Sequence, residues 1–168
     1  MRAHFCDNTI TLGDVQNVTF ITEFAKVLDV VNRLSTNHKI KYIAKLFKNS
    51  YTEFESLEGI SEFEEYLHKL SNISYREIDL LFLLDRVENK VNNSRERSAE
   101  KIYAAWNEFK KEAKKRFNLQ EETVLAIMSG LAVTGFCREA RFMFPSKGMI
   151  ETPVYTTTYF DRFLKLIQ

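Results

Sequence analysis

Ser74-Tyr75-Arg76-Glu77-Ile78-Asp79-Leu80-Leu81-Phe82-Leu83-Leu84-Asp85-Arg86-Val87 is the stretch on which the reading of the fold turns. Ser74 followed three residues later by Glu77 is a capping box, in which each side chain accepts a hydrogen bond from the other residue's backbone amide. Beyond it Ile78, Leu80, Leu81, Leu83, Leu84 and Val87 cover more than half of a helical circumference. A helix apolar on that many sides belongs at the centre of a core. Its most apolar run, Ile78 to Leu84, contains Asp79 and closes at Asp85. It falls far short of the ~20 residues that span a bilayer, so no membrane partner is expected.

On the N-terminal side of this helix, Ser61 and Glu64 form a second S-x-x-E pair, and Ile60, Phe63, Tyr66, Leu67 and Leu70 follow at helical spacing. The pair predicts a helix capped by Ser61, reached through a polar connection from Asn49 to Gly59. Further upstream, Phe20, Phe24, Val27, Leu28, Val31 and Leu34 fall in three- and four-residue steps, with Asn32 and Arg33 off the stripe. Asn37 is a stop for that helix. A shorter helix then runs through Ile40, Ile43, Ala44 and Phe47, with lysines 41, 45 and 48 on its other face. Two helices with broad apolar faces and little sequence to cover them predict a surface for association. Its residues are Phe20, Phe24, Val27, Val31, Ile43 and Phe47, and its occupant is a protein partner, with a homodimer as one form. Residues 1–70 are therefore a helical N-terminal region.

On the C-terminal side, Val91 to Ser94 breaks the pattern, and Ser98 to Phe117 resumes it through Ile102, Trp106, Phe109, Ala113 and Phe117, with Asn118 as its end. Trp106 lies on the apolar stripe and reads as a packing residue. Gln120-Glu121-Glu122 suits a helix N-terminus, where negative charge complements the dipole. The third helix continues through Val124, Leu125, Met128 and Leu131 to Gly135, a left-handed C-cap. Between Phe136 and Thr157 the period changes, and Pro145, Gly148 and Pro153 punctuate two short strands. Thr157 or Thr158 then caps a terminal helix bearing Phe160, Phe163, Leu164 and Ile167. The fold class is mainly α with a small β-hairpin, divided into residues 1–70 and 71–168.

Three helices, a Gly turn, a two-stranded wing and a closing helix give residues 71–168 a layout that resembles a winged-helix domain. The resemblance is carried by Ser74-Tyr75-Arg76-Glu77, by Leu131-Ala132-Val133-Thr134-Gly135-Phe136 and by Val154-Tyr155-Thr156-Thr157. The last of these is similar to the Y-x-L-T turn of bacterial winged helices, with Thr156 in place of the usual Leu and Asp161 near the position of the usual Gly. A helical N-terminal region before an S-Y-R-E helix and a winged-helix-like end is also similar to an Abi-alpha-like family of bacterial accessory genes. That likeness implies a role in phage defence.

The 168 residues are 45% hydrophobic and 28% charged, enough for one well-cored domain or a helical lobe beside a smaller one. With 24 Lys+Arg against 23 Asp+Glu the net charge is +1, so a charged partner must be met by a local patch. Five Gly and two Pro lie well below average usage, which predicts long helices. The N-terminus MRAHFCDNTITLGDVQ has no apolar segment and carries Asp7 and Asp14, which predicts a cytoplasmic chain.

The residues of chemistry are sparse. His4, His38 and His68 are scattered, Cys6 and Cys137 form no CxxC, and no HExxH, GxSxG or Gly-rich phosphate loop is present. His4, Cys6 and Asp7 lie together near a terminus, which is a poor place to hold a metal. Glu62, Glu64 and Glu65 diverge around a helix and read as a wet face. No catalytic residue, metal site or cofactor is predicted.

For nucleic acid, the third helix offers Gln120, Glu121, Glu122, Thr123, Ala126, Ser129, Gly130 and Val133 off its stripe, and two carboxylates at the inserted end oppose phosphate. Lys110, Lys111, Lys114, Lys115 and Arg116, with Arg138, Arg141 and Lys147 in the wing, are the candidates for backbone contacts. A charge run is more often a solvated face, so weak or no nucleic-acid binding is expected. The reading is a non-enzymatic interaction or regulatory module of a bacterial or phage accessory gene. Its alternatives are a DNA-binding winged-helix regulator and a phage-defence or anti-defence factor.

Overall fold

A computed structural model of the chain describes residues 4–5, 8–9, 17–34, 37–51, 56–91, 98–144 and 149–168. The chain divides into two compact units, Met1–Asn72 with Lys165–Gln168 and Ile73–Leu164.

In the first unit, strands β1 (His4–Phe5) and β2 (Asn8–Thr9) pair antiparallel. Helix α1 (Val18–Arg33) opens on Asn17, whose Oδ1 accepts from the Thr19 amide at 2.9 Å and so satisfies an otherwise orphaned donor. Asn37 is not the stop of this helix. Leu34 ends it, and Asn37 begins a 3-10 turn (Asn37–Lys39) that leads into α2 (Ile40–Ser50). Helix α3 (Leu57–Asn72) starts ahead of the expected Ser61. Its cap is Ser56, whose Oγ accepts from the Gly59 amide at 3.0 Å, and Ser61 is an exposed mid-helix residue. Because the helix already runs through Ser61, the S-x-x-E pair forms no capping box, and Glu64 bonds Lys26.

Packing in this unit centres on Phe47, whose ring lies 5.3 Å from Phe20, 5.6 Å from Phe24 and 5.9 Å from Phe63. Leu46 is fully buried and Ala44 exposed, so α2 turns inward one position away from the expected stripe. Lys39 is buried, and its Nζ donates to the carbonyls of Leu70 at 3.2 Å and Ser71 at 2.8 Å. An ammonium is favoured there because the last carbonyls of α3 lack helical partners and carry the negative end of the dipole. Lys45 and Asn49 likewise donate to the carbonyls of Gln168 and Leu166, each at 2.7 Å.

In the second unit, the capping box forms as expected at the start of α4 (Tyr75–Val91). The Glu77 amide donates to Ser74 Oγ at 3.2 Å and the Ser74 amide to Glu77 Oε2 at 2.5 Å. All six predicted apolar positions of α4 are buried. Helix α5 (Ala99–Phe117) is capped by Ser98 and ends at Asn118 with φ 53°. Trp106 and Phe109 are buried and stacked with ring centroids 5.2 Å apart. Helix α6 (Glu121–Ala132) runs into Gly135, whose φ of 81° suits a residue without Cβ.

From that turn Cys137–Glu139 (β3) pairs antiparallel with Val154–Thr156 (β6), and Phe142–Phe144 (β4) with Met149–Glu151 (β5). Between the two ladders the Ala140 amide donates to the Pro153 carbonyl at 2.8 Å. Pro153 has no N–H to return, which interrupts the ribbon. The turn expected at Pro145–Gly148 lies outside the described residues.

Thr157 joins the pieces. Its Oγ1 donates to the Gly135 carbonyl at 2.7 Å and accepts from the Phe160 amide at 3.2 Å, so one hydroxyl ties the glycine turn to the cap of α7 (Thr158–Ile167). Phe136, fully buried, stacks on Phe163 at 4.8 Å and on Tyr159 at 5.6 Å. The protein is thus mainly α with a small antiparallel ribbon. No helix of the described residues is long and apolar enough to cross a membrane.

Candidate functional site

The basic run occupies the last two turns of α5, where cations complement the helix dipole whether or not they meet a ligand. Lys110 is half-buried and pairs with the exposed Glu121 at 2.5 Å. Lys111 lies 3.8 Å from Glu108, an exposed pair of small worth. Lys114, Lys115 and Arg116 are exposed and make no ion pair among the described residues, and the Arg116 guanidinium lies 5.5 Å from the Phe117 ring centre. Arg138 and Arg141 are also exposed and unpaired among the described residues. Lys147 lies outside the described residues.

After Gln120 the exposed side of α6 carries no Arg, Lys, Asn or Gln. It presents Glu121 and Glu122, then Thr123, Ala126, Ser129 and Gly130, and Ser129 donates to Glu139 at 2.7 Å. Leu125, expected in the core, is 37% exposed, because Val124, Met128 and Leu131 alone fill the inward arc of this short helix.

Two groups that could do chemistry, Glu88 and Cys137, are buried in the second unit. Glu88, on the inward side of α4, is buried; its Oε1 accepts from the Thr156 amide at 2.8 Å and its Oε2 from Thr156 Oγ1 at 2.6 Å. This clamp fastens the base of the ribbon to α4. Beside it the buried Cys137 thiol is pushed up to about 12, by burial first and then by the negative charges of Glu88 and Glu139. A thiol held protonated is a poor nucleophile. Glu64 bonds Lys26 and Glu65 bonds Lys69 at 2.5 Å, so the expected wet carboxylates have separate cationic partners. Among the described residues no three His, Cys, Asp or Glu side chains group as metal ligands.

The predicted association surface needs correction. Val27, Ile43 and Phe47 are buried within the first unit, and Phe20 and Val31 are half-buried; of the six residues only Phe24 is exposed. The inward line of α1 contains Val27 and Glu23, both buried. Glu23 Oε1 accepts from Lys26 at 2.7 Å, while Oε2 has no hydrogen-bond partner among the described residues. A glutamate inside the apolar arc hides its true direction from a hydrophobic count, which rotates the expected stripe. On the opposite side of α1, Val18 is 77%, Ile21 50%, Phe24 43% and Leu28 47% exposed, with Ala25 exposed among them. The spacing 18, 21, 25, 28 is a three-four repeat, and it is the signal that the stripe through Phe20 and Val27 obscured.

Neither a protein-family model, nor a curated protein, nor a solved structure matches this chain.

Proposed function

We propose that the protein is a non-enzymatic association module whose docking face is the exposed apolar stripe of α1. The observation that carries this reading is the line Val18, Ile21, Phe24 and Leu28, each more than two-fifths exposed on one helix. Contiguous exposed apolar surface marks association sites, whereas single exposed apolar residues are ordinary. The commitment of Glu88, Glu64, Glu65 and Cys137 to structural contacts is in keeping with a module that does no chemistry of its own.

The test is site-specific photo-crosslinking from position 21 in the cell, with position 33 at the charged end of α1 as control. Adducts from position 21 and none from position 33 are expected. An equal yield from both positions, or none from either, overturns the reading.

A second reading, a winged-helix regulator in the cytoplasm, is favoured by the exposed Lys114, Lys115, Arg116, Arg138 and Arg141, which make no ion pair among the described residues. Glu121 and Glu122 weigh against base recognition by α6. Weak, salt-sensitive and nonspecific binding to random duplex is the expected result, with a log-log salt slope of roughly one per phosphate neutralised. Tight binding to one operator that is lost on Thr123→Ala would instead establish the regulator. The likeness to phage-defence proteins rests on the S-Y-R-E helix and ribbon layout, and a prophage or defence gene neighbourhood would support it.

A further inference from the structure

The association reading leaves open what covers α1, and the inference drawn here rests on that reading. We infer that the occupant is a second copy of this chain, its α1 laid antiparallel on the first about a two-fold axis at position 23.

Three properties of the stripe lead there. Val18, Ile21, Ala25 and Leu28 hold the alternating three- and four-residue spacing of a helix-pair seam. In an antiparallel pair, positions that sum to 46 share a layer. Val18 then meets Leu28 of the other copy, and Ile21 meets Ala25, a large side chain against a small one. The same layers recur on both sides of the axis, as a two-fold interface requires. The Phe24 side chains of the two copies flank the axis on one side and the Thr22 side chains on the other.

Charge selects the direction. The exposed face from Val18 to Leu28 bears no ionisable side chain, so covering it strands no ion. Asp29 and Arg33, at the end of α1, pair with one another. In an antiparallel pair, Asp29 of one copy comes beside the first turn of the other. That turn has no acidic residue of its own and carries the positive end of the dipole. A parallel pair would bring Asp29 against Asp29, Arg33 against Arg33 and both positive ends together. A lipid surface is a poorer occupant, because helices that lie on membranes flank the apolar face with several Lys and Arg. Among the described residues of α1 the cations are Lys26, paired with Glu23 and Glu64, and Arg33, paired with Asp29, so neither is spare for a lipid headgroup.

A single helix pair covers less than the ~800 Å² per partner of a standard interface, so a dimer dissociation constant on the order of tens of micromolar is expected. Sedimentation equilibrium of the full chain, from low micromolar to near-millimolar concentration, reads it directly. The expected result is a reversible monomer–dimer transition, abolished by Leu28→Glu and by Val18→Lys, with melting temperatures within a few degrees of the wild type at low micromolar concentration, where all three chains are monomeric. Mixing the Leu28→Glu and Val18→Lys chains should restore dimer, because only the antiparallel register sets those two positions opposite each other.

A wild-type chain that stays monomeric throughout overturns the inference, and so does a dimer untouched by either substitution or one the mixture does not restore. Binding to phosphatidylcholine vesicles that is lost with Leu28→Glu, in a chain that stays monomeric, also overturns it in favour of lipid. Failure here is separable from failure of the association reading. A monomer that still yields adducts with another protein from position 21 keeps the reading and loses the second copy, whereas a monomer without adducts loses both.

Discussion

Helices α1 and α4 are nearly equal in length, each places one glutamate on its buried side, and they manage their apolar surface in opposite ways. Around α4 every apolar position of the predicted set is covered, and both oxygens of Glu88 accept hydrogen bonds from Thr156. Around α1 only Glu23 and Val27 are buried, one Glu23 oxygen lacks a partner among the described residues, and four large apolar side chains face outward. A buried carboxylate with both oxygens bonded organises what surrounds it, and one half-satisfied contributes little. Helix α4 is built to hold a fold together. Helix α1 keeps apolar surface exposed.

The sharpest way to break this contrast is Glu88→Ala, which leaves the Thr156 amide and hydroxyl buried without acceptors. A loss of about 3 kcal/mol or more in unfolding free energy by urea titration is expected. A loss below about 1 kcal/mol would show that the clamp is replaceable.

Next in size is the alkaline limb that Cys137 contributes in the same region. Its folded pKa is raised, so its stabilisation is whole below the ordinary value of 9.0 and is lost as pH rises toward about 12. The expected decline within that window is up to about 1.4 kcal/mol per pH unit. Urea titrations of wild type and Cys137→Ala at stepped pH should show the shallower decline in the variant. Equal slopes would mean that the thiol is already ionised in the fold.

Ser74→Ala should cost about 1 kcal/mol and Ser56→Ala a similar amount, whereas Ser61→Ala should be neutral within about 0.5 kcal/mol. Thermal melts of the three variants check which serines cap. The smallest change belongs to α1. Glu23→Met removes a half-satisfied carboxylate and leaves Lys26 with Glu64, so stability should move by less than about 1 kcal/mol in either direction. A loss approaching that of Glu88→Ala would erase the distinction between the two helices.

Helix α4 was legible because its cap and its apolar set agree, and each is local. The same holds for Gly135, for the ribbon and for the Phe160–Ile167 face of α7. Sequence reasoning went astray where two local signals competed. Ser61 and Glu64 offered a good capping box, yet Ser56 starts the helix and Glu64 answers to Lys26 across 38 positions of the chain. Within Phe20 to Leu34 two apolar lines lie side by side, and propensity does not rank them.

By itself, the amino-acid order determined where most helices begin and end, because caps, glycine turns and the hydrophobic period act within a few residues. It also determined that the basic run would sit on one helix end. Tertiary structure alone decided that Glu23, Lys39 and Glu88 lie inside, since burying a charge depends on a partner distant in the chain or on the next turn of a covered helix. It also decided that Val27, Ile43 and Phe47 became core while Val18, Ile21, Phe24 and Leu28 remained outside. Which side of an amphipathic helix is covered follows from what packs against it, and the packing of α2 and α3 spent one apolar line of α1 and left the other.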